Sequence, residues 1–366
     1  LCYSFRTPEP ILRLWSREFG LGSLTPEALS PSFERVERNL KVQRIREDEI
    51  NAMNRVIRAG AEKLGYSGLV AKHNRENCVK SGFCILGCFF GAKQSMLVTY
   101  VPRAEEAGAR ILASARAERI ESESGRVRRV RGHAVDEAGR PGRSFEIRAK
   151  VVVLAAGAIA SPDLLLRSGI ANSSGLVGRN LHLHPQVMLG GIFEESLRPY
   201  RGIPQSYLVD EFIDLERDPR SGYYLMPVTG FPALTAANLP GFGSDHFHFM
   251  KHFDHTAGLL VLLHDQSSGS VRPGPSFSRP EIRYSLEGED RRRLARGLVH
   301  SAKLLFAGGA RRVFVPYWVD PLELEPGDPL GAIEDRGVRE GELSISATHP
   351  QSTCAMGSDP SKSVVN

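Results

Sequence analysis

His349 opens the segment His349-Pro350-Gln351-Ser352-Thr353-Cys354-Ala355-Met356-Gly357-Ser358-Asp359-Pro360, a run of small and turn-forming residues with almost nothing else that titrates near neutral pH. An imidazole, with an ordinary pKa of about 6.5, takes up and returns a proton at neutral pH, which makes His349 a candidate general base. A structural histidine satisfied by its neighbours is the competing reading. A second chemical signal is the run Val151-Val152-Val153-Leu154-Ala155-Ala156-Gly157, which closes on residues almost without side chains. The flat base of a nucleotide approaches backbone only where side chains are missing, so the turn suits such a ligand; a tight strand-to-helix turn needs the same residues. A third is Cys78, Cys84 and Cys88 in a glycine-containing loop. Three thiolates so spaced could hold an iron–sulfur cluster, or they are free thiols of a packed loop. Phe89 stands where proline commonly follows the last cluster ligand. His248, His252 and His255 share a face of a helix over Phe247 to His255, but no Cys or carboxylate completes a zinc set, and the intervening Phe247, Phe249 and Phe253 point to packing near an apolar substrate.

The elements that must place these residues are readable in part. Ser30-Pro31 predicts a helix start, with Phe33, Val36 and Leu40 on one face. Ile50 to Leu64 predicts a helix ending at Gly65, and Gln94 to Ala107 one that Pro102 kinks or divides. Alternating segments around Ile111, Val127 to Val135 and Phe145 to Ile147 predict a β-meander. Val151 to Leu154 reads as a strand buried on both faces of a parallel sheet, turning into a helix from Ser161 to Ser168, half of a nucleotide-binding unit. Strands at Gly222 to Pro227 and Glu281 to Leu286, a buried element at Gly258 to Leu263, and a helix from Asp290 to Ala307 follow. Arg312 to Val319 resumes strand character.

The combination closely resembles one family. Gly157-Ala158-Ile159-Ala160-Ser161-Pro162-Asp163-Leu164-Leu165-Leu166-Arg167-Ser168-Gly169-Ile170 is similar to the second signature of the glucose–methanol–choline (GMC) oxidoreductases, departing at Ala171, where that family usually has glycine. Val177-Gly178-Arg179-Asn180-Leu181-His182-Leu183-His184-Pro185 resembles the segment that follows it. Phe5-Arg6-Thr7-Pro8 with Trp15, and Gly91-Ala92-Lys93-Gln94-Ser95, resemble the branch acting on long-chain or otherwise apolar alcohols. His349 to Pro360 is similar to the family's active-site segment, with Ser352 where glycine is frequent. The resemblance covers essentially the whole chain.

It implies an α/β fold, α+β overall: a partial FAD-binding Rossmann-like domain with a β-meander, plus an interleaved substrate domain on an antiparallel sheet with helices. The implied division is 1–189 for the FAD-binding part, 190–310 for the substrate domain, and 311–366 for a return carrying the active-site segment. It implies a bound FAD contacted by Ala155, Ala156, Gly157 and Ser161, with Ala117 on the other side, and oxidation of an apolar alcohol by hydride transfer to the flavin with His349 as base. Oxygen or a redox partner would reoxidise the flavin. His182 and His184 are expected near the flavin, without a role. Some relatives that pass electrons to a cytochrome carry a cluster like the one Cys78, Cys84 and Cys88 could hold; such a subunit, or an inactive remnant, is the alternative.

The family's G-x-G-x-x-G fingerprint is absent from the sequence, and its second catalytic Asn or His would fall beyond Asn366, so the chain is expected to be the middle of a longer protein whose native N-terminus is missing. The length of 366 residues predicts one large or two interleaved domains, and 41% apolar with 24% charged residues is ordinary for a soluble protein. A net charge of +5 with basic residues scattered among acids gives no nucleic-acid stripe. No apolar run reaches the roughly 18 residues that span a bilayer, and no signal peptide opens the chain; for the middle of a longer protein the latter says nothing of its destination, so the compartment is unassigned, with the cytoplasm only as a default.

Overall fold

The computed structural model describes residues 2–277 and 279–366. Its centre is an eight-stranded antiparallel sheet whose strands lie in the order Leu322–Leu324, Arg312–Val315, Gln186–Ile192, Thr256–Leu263, Tyr223–Val228, Tyr207–Val209 and Gly68–Val70. The eighth strand, Ile345–Ser346, pairs with the first half of Gln186–Ile192, while Arg312–Val315 pairs with its second half. The sheet therefore gathers strands from before residue 190 and after residue 310, and the expected boundary at 189/190 falls inside Gln186–Ile192.

Period-two alternation sorts the side chains of these strands. Val187, Leu189, Leu225, Leu259, Val261 and Leu263 point to one face, where the helices Ala52–Leu64 and Gly288–Ala307 cover them in the main core. Each such leucine contributes about 1.5–3 kcal/mol on burial. Asn51 caps the first helix by accepting the Asn54 N–H at 3.0 Å, and Gly65 ends it in the left-handed conformation. Met53, Val56, Ile57 and Ala61 repeat at helical spacing, and between them Gly60 lets the two helices touch: a Cβ there would stand 2.3 Å from the Leu304 carbonyl oxygen. On the opposite sheet face Leu208, Met226, Leu260 and Leu262 form a second, smaller cluster.

The expected meander is present as Ala115–Glu123, Arg126–Val135 and Pro141–Arg148, with Arg131 bridging Glu121 and Glu146 across the strands. The mixed α/β class matches the expectation, and so do the buried strand Thr256–Leu263 and the helix Gly288–Ala307.

Several local expectations are corrected. Val151 to Leu154 is extended but pairs with no described strand, and Val151 and Val153 are 77% and 84% exposed. A doubly buried parallel strand needs a neighbour on each side, and the described residues offer none. The helix expected to start at Ser30-Pro31 is Pro26–Asn39: Thr25-Pro26 is an earlier cap-and-proline pair, with the Thr25 hydroxyl accepting the Ala28 N–H at 3.2 Å, and Pro31 lies inside the helix. Gln94 to Ala107 is a 3₁₀ turn, Met96–Val98, and a helix, Tyr100–Glu106; the break falls at Thr99, and Pro102 sits in the first turn, where a missing N–H costs nothing. Phe247 to His255 is not one helix but Ser244–Lys251 followed by the 3₁₀ turn Phe253–His255. No helix among the described residues is long and apolar enough to cross a membrane.

Candidate active site

The histidine segment is fastened on both sides of His349. Before it, Ile345–Ser346 joins the sheet edge, and the Gln186 amide donates to the Ser346 hydroxyl at 3.0 Å. After it, Gln351 and His182 exchange backbone hydrogen bonds of 2.9 and 3.2 Å. Thr353, 2% exposed, donates its hydroxyl to the Ala158 carbonyl at 2.6 Å and accepts the Gly178 N–H at 2.9 Å. These bonds seat the segment on the first turn of the helix Gly157–Ser168 and on the residues 178–182.

The loop bends at Ser352, whose φ is +72°, and Ala171 likewise has φ +56°. Both stand where the resembling family favours glycine, and left-handed backbone is the physical reason for that preference.

Around His349 lies a histidine cluster that composition does not reveal. The rings of His184 and His349 have centroids 5.3 Å apart, and Thr348 Oγ1 is 3.3 Å from His349 Nδ1. His349 keeps one side to solvent, yet the protein on its other side strips away enough water to hold its pKa below the ordinary value. Burial first, and the neighbouring His349 second, push His184 down to about 4. His264 is also lowered by burial, whereas His182 is raised by the Asp265 carboxylate, 3.7 Å from its Nδ1. Burial would raise the Asp265 carboxyl, but the nearby His182 and the hydrogen bonds from Tyr284 and the Leu183 N–H outweigh it and hold it at about 2. Sequence reasoning missed Asp265 and Tyr284. The available signal was the pair His264-Asp265 directly closing the apolar run Gly258 to Leu263, where a charge must be placed for a reason.

The small-residue turn is open. Ala155, Ala156 and Gly157 are exposed, Ala156 gives the helix no side-chain cap, and a Cβ added at Gly157 would meet nothing within 4 Å. The first N–H groups of the helix are thus free to meet a flat or anionic group. The Ser161 hydroxyl accepts the Ala156 N–H at 3.1 Å and shapes the turn itself. Ala117 lies in the strand Ala115–Glu123, which is fastened to the far end of the same helix by the Ile120 N–H donating to Ser168 Oγ at 2.9 Å.

Cys78, Cys84 and Cys88 line one cavity of about 20 Å³ together with Cys2, which the sequence did not single out. All four are free thiols, and among the described residues no three His, Cys, Asp or Glu side chains stand where they could hold a metal ion. The rings of His248 and His252 lie 5.2 Å apart, while His255 Nδ1 meets the Glu194 carbonyl at 2.9 Å.

Comparison with known proteins gives these features a lineage. The N-terminal part of the GMC oxidoreductase family model matches residues 1–186, and the C-terminal part matches residues 265–366. An uncharacterised GMC-type oxidoreductase of Mycobacterium tuberculosis is 30% identical over 361 residues, covering 97% of this chain and 54% of that protein. A long-chain-alcohol oxidase of Arabidopsis thaliana is 28% identical, covering 99% of this chain and 51% of that protein. The chain thus spans about half the length of these curated relatives. Among solved structures, pyridoxine 4-oxidase from Mesorbium loti superposes with a TM-score of 0.66 at 19% identity, over 100% of this chain and 73% of that one. Aspergillus oryzae formate oxidase gives 0.70 at 16% identity, over 100% and 74%. With both family segments matched in order, the second containing the fastened histidine loop, the chain belongs to the GMC oxidoreductase family.

Proposed function

We propose that this chain forms the flavin-facing and substrate-facing parts of an FAD-dependent oxidoreductase that oxidises the CH–OH group of an apolar alcohol, with His349 as the base. The observation that carries the reading is the hydrogen bond from Thr353 to Ala158, which joins the histidine loop to the open small-residue turn. Residues 1–189 and 311–366 would serve the cofactor and 190–310 the substrate, across a shared sheet. The solved Aspergillus oryzae formate oxidase is one whose FAD modification has been studied, and its fold is common to both chains. Ala155, Ala156, Gly157 and Ser161 would hold the cofactor on one side and the backbone at Ala117 on the other.

When bound, FAD supplies the hydride acceptor. The chain's own residues do the rest. His349, neutral at pH 7, takes the hydroxyl proton of the alcohol on the free side of its ring, while Thr348 meets Nδ1. An apolar substrate fits the surroundings. Next to Gln186 on the same strand face comes Met188, 39% exposed, and Phe249 packs over Gly190 beyond it. The Arabidopsis relative is named for long-chain alcohols, in keeping with that face.

The test is anaerobic flavin reduction by saturating fatty or aromatic alcohol in the intact protein. His349→Ala should keep its flavin and lose about 10²–10⁴-fold in the reduction rate. Gly157→Val should instead lose the flavin. Near-native reduction by the His349 variant would leave that histidine structural, and faster turnover of glucose than of any apolar alcohol would reject the substrate class.

A further inference from the structure

Asp265 sits two residues past the end of the strand Thr256–Leu263, with its side chain 2% exposed. Its carboxylate accepts the Leu183 N–H at 3.1 Å, the His184 N–H at 3.2 Å and the Tyr284 hydroxyl at 2.7 Å, with His182 Nδ1 at 3.7 Å. All but the Tyr284 bond fall on three consecutive residues, His182 to His184. Two successive N–H groups can turn toward one carboxylate only if the chain bends there, and His184 has φ +54°. The bend points the His184 ring at His349, and among the described residues no group hydrogen-bonds that ring. The same three residues hold Gln351 through the His182 backbone pair, two residues beyond His349. One buried carboxylate therefore governs both what lies beside the His349 ring and where its loop is tied.

We propose that Asp265 is a positioning residue and that His184 is the part it positions: the carboxylate locks His182 to His184 so that the His184 imidazole packs against His349, fixes its orientation and screens one side of it from water. This rests on His349 being the base. His184 faces His349, His264 and Asp265, and His182 and Asp290 stand behind Asp265. Of these only Asp265 favours a proton on His184, and burial with the two histidines outweighs it. His184 therefore stands beside His349 as a neutral ring near pH 7.

The experiment uses the intact, flavin-loaded protein and the variants Asp265→Asn, His184→Gln and Tyr284→Phe. Two quantities are read against pH: the rate of anaerobic flavin reduction, and the NMR titration of the His349 ring, assigned by its loss in His349→Ala. Asp265→Asn turns an amide N–H toward backbone donors and should release the clamp. The reduction rate should then fall by about 10–10²-fold, as for a misplaced reacting group. The titration of His349 should move upward toward the ordinary value of about 6.5, because water reaches the ring. His184→Gln should raise it as well, and Tyr284→Phe should act in the same direction but less. A merely structural carboxylate would lower stability and leave both pH curves in place. If Asp265→Asn does not fold, the other two variants carry the test. Folded variants whose His349 titration and rate profile superimpose on the native ones would overturn the proposal. A shifted titration in a protein whose His349→Ala variant still reduces flavin normally would uphold the placement and remove only the base.

Discussion

Ser352 and Ala171 show what a single residue reveals when backbone and family pattern are set side by side. Each occupies left-handed backbone, which disfavours a residue with a Cβ by roughly 1–2 kcal/mol, while glycine returns about 0.5–1 kcal/mol of that through its greater freedom in the unfolded chain. Ser352→Gly should therefore stabilise the protein by up to about 1 kcal/mol. A lower unfolding midpoint in urea would show that the Ser352 side chain contributes something the backbone angle does not. His349 could be singled out in the sequence as a candidate because its neighbours are chemically mute. Asp265 and His184 were not, since the role proposed for them rests on two hydrogen bonds between residues some eighty positions apart, and sequence spacing carries no trace of them.

At the scale of elements, the helix Gly157–Ser168 shows how a signature can encode packing as well as binding. Asp163 and Arg167, four apart on one face, pair at 3.0 Å with side chains 4% and 19% exposed. Arg167 also donates to the Gly274 and Ser276 carbonyls at 2.9 and 3.0 Å and lies over the Phe277 ring, so it pins the helix to the strand Gly269–Ser276. Arg167→Leu leaves the buried Asp163 carboxylate without its partner and should cost on the order of 3 kcal/mol. Because that helix carries the turn 155–157, flavin affinity should weaken with it; calorimetric unfolding and flavin titration of the same variant would expose an unaffected protein. The helix, the meander and the buried strand Thr256–Leu263 were readable because periodicity and caps are local. Val151 to Leu154 misled for the opposite reason. A β-branched run states only a preference for a sheet, and the neighbours that would make it a buried strand are not among the described residues.

The whole molecule is held together near its N-terminal end by His73, where four distant stretches meet. His73 is 1% exposed, its strand Lys72–Asn74 pairs with Val42–Arg44, its backbone bridges Tyr3, and its Nε2 meets the Gln205 carbonyl at 3.2 Å. Burial lowers its pKa to about 4, against the smaller raising effect of the Gln205 carbonyl. The folded value lies below the unfolded value of about 6.5, so between the two the unfolded chain binds more protons. The stability that His73 contributes is complete above about pH 6.5 and is lost as pH falls toward 4, an effect on the order of 3 kcal/mol. His184 adds loss of the same sign over the same window. The carboxylates held at about 2, Glu49 beside Arg75 and Asp265, act only at lower pH, so their contribution is still intact at pH 5. Unfolding free energy of the intact protein should therefore drop between pH 7 and pH 5 before any paired carboxylate is protonated. His73→Gln, which cannot charge, should flatten that slope even if it lowers stability at pH 7. Denaturant unfolding of both proteins at the two pH values measures this directly, and parallel slopes would mean that the N-terminal junction tolerates a charged His73 and that acid sensitivity arises elsewhere.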